Sequence, residues 1–270
     1  MAKKTEVATT SEAPLPASYG DYAGLGMESI SSADISIPFI NLLQPLSPEV
    51  TGENAIEGAK ASDFYNTVSG EIIPGKTGFL FQPCERQHVF VEWIPRDAGG
   101  GFVAVHEDNS AEVLDARRSN GGRTYGGLKL NGNDLIETVY LYGHILEDDG
   151  LTIRGFAVIA FTASKLKPLR DASTLVVTTR VNGQKPPLFA FRFRIASKPD
   201  KNKKGQPFFN VAINPKALPL LDPAKPEEAE LLATGFAFFK SVRDGVRKAD
   251  LSAASASARE PGVEDADAPF

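Results

Sequence analysis

Cysteine is nearly absent: Cys84 stands alone in 270 residues, so no disulfide can form within the chain and a Cys-rich zinc site is excluded. Only three histidines, His88, His106 and His144, are present, and they are too scattered to offer metal-ligand spacing. No metal and no cofactor is expected. Long apolar runs are lacking too. The cleanest, Gly155 to Phe161, is far too short to span a bilayer, and the opening MAKKTEVATTSEAPLPAS has no apolar stretch after its lysines. No membrane association is expected, and the single cysteine fits a reducing, cytoplasmic setting. HExxH, GxSxG, GxxxxGK[ST] and a Cys/His pair at a useful distance are likewise missing, which argues for a binding protein with no enzymatic activity.

What is present is charge, unevenly divided. The net charge is −5. Between Leu151 and Lys216, however, thirteen basic residues meet only Asp171 and Asp200, a balance of +11, and the remainder of the chain carries 16 basic against 32 acidic residues. A strongly basic segment is embedded in an acidic protein, the electrostatic footprint of a chain that meets nucleic acid.

Residues 1–34, rich in Ala, Ser, Thr and Pro, read as a disordered arm, and 35–250 as one folded domain. Residues 251–270 read as a small, polar linker and an acidic tip. Within the domain, strand patterns follow one another at 77–83, 87–94, 101–105, 136–146 and 151–161, the last two joined by a turn at Glu147-Asp148-Asp149-Gly150. In SKLKPLRDASTLVVTTRV, Leu166, Leu169, Ser173 and Val176 fall at helical spacing while the β-branched run Thr174 to Val181 favours a strand. We favour the helix, with Ser164 as its cap.

The alternation in LFAFRFRIASKPDKNKKGQPFFNVAI is the clearest in the chain. Phe189, Phe191, Phe193 and Ile195 fall on one side and Arg192 and Arg194 on the other. FFNVAI returns after a basic turn, with Phe209, Val211 and Ile213 on the core face and Phe208 and Asn210 opposite. A last helix is expected from Pro226 through Ala249, burying Leu232, Phe236, Phe239, Val242 and Val246. The class is therefore mainly β (α+β). Strands, then a helix, then a hairpin match an OB-like small barrel with inserted strands and loops, a helix before the last hairpin, and a C-terminal helix.

A sequence-tolerant binder of single strands needs cations for phosphates and rings for base stacking. The candidates are Arg170, Arg180, Arg192, Arg194, Lys198, Lys201, Lys203, Lys204 and Phe208. Arg123 and Tyr125 join them from the Gly-rich stretch RRSNGGRTYGGLKLNG, read as a loop, and Trp93 as either a stacking ring or a core residue.

The end of the sequence, VEDADAPF, resembles the acidic, Phe-terminated C-terminal tip of single-stranded DNA-binding proteins. The NKKG turn and the basic helix before it also look similar to phage-encoded members of that group. The resemblance implies coating of single-stranded DNA in phage replication or recombination. It also implies docking of a polymerase, helicase or nuclease through Glu264, Asp265, Asp267, Pro269 and Phe270, in the host cytoplasm. The alternation of acids with Ala266 and Ala268 departs from the uninterrupted acidic block of that group. A virion assembly protein with a basic patch is the alternative, and a homo-oligomer is compatible with either.

Overall fold

The computed structural model describes residues 25–31, 34–52, 55–122, 124–202 and 204–249. Two long strands form the spine: β5 (Phe79–Trp93) and β8 (Asn133–Leu146) run antiparallel from the Leu80/Leu146 pair to the Trp93/Asp134 pair. Four short strands precede β5, namely β1 (Ser36–Ile37), β2 (Ile40–Leu42), β3 (Phe64–Asn66) and β4 (Ile72–Ile73), the last three forming a small antiparallel sheet. The two strands expected at 77–83 and 87–94 are one. Their punctuation, Pro83-Cys84, is a bulge where the register with β8 shifts, which lets a residue without an N–H sit inside a central strand.

The outer edge of β5 is shared by β6 (Phe102–Glu107), beside Val89–Trp93, and β10 (Phe193–Lys201), beside Phe79–Phe81. The outer edge of β8 takes β7 (Leu128–Leu130) and β9 (Ile153–Thr162), and β11 (Pro207–Asn214) pairs with β10. The chain is mainly β in an α+β arrangement, as expected. The barrel is not formed: this seven-stranded sheet runs β11-β10-β5-β8-β7 and stays open, its end strands not pairing with each other.

Helix α1 (Ala111–Ser119) closes one end, burying Val113 and Ala116 against Phe90, Leu128 and Leu135. Arg117 and Arg118, expected in a loop, form the last turn of this helix, and the sequence signal for it is Ser110, whose Oγ accepts the Val113 N–H. Helix α2 (Leu166–Thr178) buries Ala172 and sets Leu166 and Leu169 in the main core with Val139, Leu141, Phe193 and Ile195, so the helical spacing outweighs the β-branched run. Ser164 does not cap it. A 3-10 turn over Ala163–Lys165 leads into the helix, and Lys165 holds the cap position, its side chain not serving as the cap.

Helix α3 (Pro226–Arg243) lies on the opposite face, Phe238 and Val242 meeting Tyr140, Tyr142 and Val158. It ends earlier than expected. Gly245, at φ +70°, reverses the chain, and β12 (Lys248–Ala249) runs parallel to β1. The helix is also rotated from its expected stripe, burying Leu231, Gly235, Phe238 and Val242 and leaving Phe236 half exposed. Gly235 explains the rotation, since a Cβ there would stand 2.7 Å from Gln82 Nε2. That amide, fully buried in β5, donates to the carbonyls of Phe189 (2.8 Å) and Leu231 (3.1 Å). Its Oε1 is left to accept from His144 Nδ1 at 2.8 Å, which makes the ring a neutral Nδ1–H tautomer. Burial, helped by nearby Arg247, pushes the His144 pKa down to about 4.

Candidate nucleic-acid interface

The basic segment folds into neighbouring elements. After β9 come α2, a short 3-10 turn at Leu188–Ala190, and the β10–β11 hairpin, and α2 packs directly on β11. Beside that contact, Asn210 Nδ2 on β11 donates to Asp200 Oδ2 of β10 at 2.9 Å and to the Ser164 carbonyl, in the 3-10 turn before α2, at 3.4 Å. Lys198, Lys201 and Lys204 of the hairpin are exposed, as are Lys167 and Arg170 of the helix. In the hairpin register, Asp200 opposes Phe208 and Lys198 opposes Asn210. Cross-strand partners share a face, so the half-buried Phe208 ring lies with Lys198, while Phe209 packs on the main core.

The free edge of β11 is blunted. The Gln44 side chain donates to the Phe209 carbonyl (2.8 Å) and accepts its N–H (2.9 Å), occupying positions another strand would take.

A second group gathers where α1 and α2 approach the far half of the sheet. The Tyr125 ring, 45% exposed, lies nearly parallel to Phe90, 6.5 Å between centroids. Arg117 Cζ is 5.1 Å from the Phe90 centroid and 5.9 Å from that of Tyr125, and Arg170 Cζ is 5.8 Å from Tyr125. Carboxylates hold both guanidinium groups. Arg117 Nη2 donates to Asp108 at 2.6 Å, and Arg170 Nη2 donates to both oxygens of Glu137 at 3.1 and 3.2 Å. His88 Nε2 meets Glu137 at 3.1 Å. Arg86 stands beside this group, its pKa drawn down by desolvation against the opposing pull of Glu137, with Arg170 adding to the depression. The result is a ring open to solvent and framed by fixed cations, which suits stacking on a flat π system.

Of the expected contacts, Arg170 and Tyr125 are thus brought together, joined by Arg117 of the basic stretch RRSNGGRTYGGLKLNG, whereas the sequence pattern does not point to Arg86, Phe90 or His88. The missing signal is tertiary: Phe90 and Tyr125 lie far apart in the chain. Arg192 does not face outward. It is buried, and its guanidinium donates to the carbonyls of Gly150 (3.1 Å) and Pro219 (2.8 Å). Trp93 is also interior, edge-on to Phe102, so it has no face to offer a base. Phe189 leaves the alternation because its 3-10 turn sends it toward α3, beside Phe236 and Phe239. Arg180 folds back on the carbonyls of Val177 and Thr179 at the end of α2, and Arg194 meets Asp148 at 3.4 Å. Arg123, Lys203 and the tip residues Glu264, Asp265, Asp267, Pro269 and Phe270 lie outside the described residues.

Among the described residues no helix is long and apolar enough to cross a membrane. No curated protein and no solved structure matches the chain. The family model for the Pam3 phage gp34-like protein matches residues 3–248, nearly the full length, and the chain belongs to that phage protein family.

Proposed function

We propose that this phage protein binds single-stranded DNA without strong sequence preference, as a non-enzymatic component of replication or recombination in the host cytoplasm. One observation supports the reading most: α2 connects a solvent-facing ring framed by arginines, Tyr125, to the exposed lysines of the β10–β11 hairpin. A flexible single strand offers both base faces and phosphates to such a surface, whereas a duplex hides its base faces. In this reading Lys198, Lys201 and Lys204 take phosphates and Tyr125 takes a base, with Phe208 as a second ring. The tip residues Glu264 to Phe270 would engage a partner protein.

Fluorescence anisotropy with oligonucleotides of graded length tests this directly. Single-stranded DNA should bind in a length-dependent way and more tightly than duplex. Changing Lys198 and Lys201 to Gln should flatten the log-affinity against log-salt slope by roughly 0.7 per lost contact. Tyr125→Ala should cost about 1–3 kcal/mol of binding. Ending the chain after Gly262 should leave affinity at low salt unchanged or higher while abolishing capture of a replication partner. Equal affinity for duplex and single strand, or a salt slope untouched by the lysine changes, would reject the assignment.

A further inference from the structure

Helix α3 turns Leu231, Gly235, Phe238 and Val242 inward and leaves Glu230, Ala233, Phe236, Ala237 and Lys240 exposed. Phe236 is 50% exposed and lies at the centre of an aromatic patch, 6.2 Å from Phe239 and 6.0 Å from Phe189. Lys240 Nζ stands 5.9 Å from the Phe236 centroid, and Arg243 Cζ stands 5.4 Å from that of Phe239. A lone exposed ring is ordinary, but a ring at the centre of an apolar patch rimmed by charge marks a contact surface.

The distribution of charge selects the occupant. The first half of α3 is acidic, with Glu227 and Glu230 exposed, and its last turn is basic, with Lys240 and Arg243 exposed. Glu230 lies five positions before Gly235 and Lys240 five after it; Ala233 and Ala237 lie two before and two after. A two-fold axis at the level of Gly235 therefore sets Glu230 level with Lys240 of a second copy and Ala233 level with Ala237. Phe236 then falls beside its own symmetry mate. Ala233 and Ala237 beside the paired rings leave room for them, at about 8–10 Å between axes. A parallel pair would instead oppose Glu230 to Glu230 and Lys240 to Lys240, so the charges favour only the antiparallel arrangement.

We propose that α3 is a self-association surface, on which two copies of this chain pack antiparallel across a two-fold axis centred near Gly235. The proposal needs no nucleic acid. Sedimentation velocity on the full chain without DNA tests it over a range of protein concentrations. The unaltered protein should show a concentration-dependent monomer–dimer equilibrium, and Phe236→Ser should weaken it by about tenfold or more, as expected for a central interface ring. Glu230→Lys and Lys240→Glu should each weaken the dimer, and the two together should restore it, a rescue that non-specific stickiness cannot give. Circular dichroism melting of each variant keeps folding separate from association, since these side chains are exposed. A monomer at every concentration, a dimer indifferent to Phe236→Ser, or a double exchange weaker than either single one would overturn the proposal.

Discussion

Arg192 shows how one side chain's role depends on what closes over it. In sequence it belongs to an alternating basic face with Arg194; in the fold the β8–β9 turn and the segment after β11 cover it. Two carbonyls then depend on its guanidinium. Arg192→Met should cost roughly 1.5–3 kcal/mol of stability, because two buried acceptors lose a charged donor. Chemical denaturation measures that loss, and the salt dependence of the proposed DNA binding should keep the unaltered slope in the same variant. A flattened slope with stability intact would place Arg192 among the proposed phosphate contacts.

At the scale of elements, the β5 bulge and the α3 rotation both arise from close approaches that a side chain would block. Gly143 lies opposite Pro83 at the bulge, where a Cβ would come within 2.1 Å of the Gln82 carbonyl oxygen and 2.8 Å of the Phe81 ring. Gly143→Ala should destabilise the protein by about 1–3 kcal/mol or more, since backbone and a buried ring must both shift. Thermal denaturation is the readout, and an unchanged midpoint would mean that the bulge is soft. Helix α3 approaches the same strand through Gly235. The apolar spacing of its sequence admits two faces, one with Phe236 and one with Phe238, and the spacing alone does not choose between them. Gly235 resting on Gln82 makes that choice.

Across the whole molecule, the place where β5, β8 and α3 meet couples stability to pH. His144 is neutral there, with its pKa lowered from 6.5 to about 4. The unfolded chain therefore binds a proton more readily than the folded one below pH 6.5. Stability should fall as the pH drops from about 6.5 toward 4, by up to roughly 3 kcal/mol, and the loss should level off below that window. Urea denaturation across the window measures the slope, and His144→Gln should remove this contribution. An identical slope in that variant would assign the pH dependence to other groups.

The β-rich class, the helical reading of α2, the hairpin that follows it and the concentration of positive charge there are legible in the chain alone. All of these are encoded in spacing of two or three to four residues and in local charge count, which neighbours in the chain suffice to set. That the sheet stays open, that Arg192 and Trp93 turn inward, and that Tyr125 meets Phe90, Arg117 and Arg170 follow from the packed fold and not from local pattern. Those outcomes depend on which distant segments bury each other. The desolvation and hydrogen bonding that fix a buried arginine or expose a ring come into being only when strands far apart in sequence are brought together.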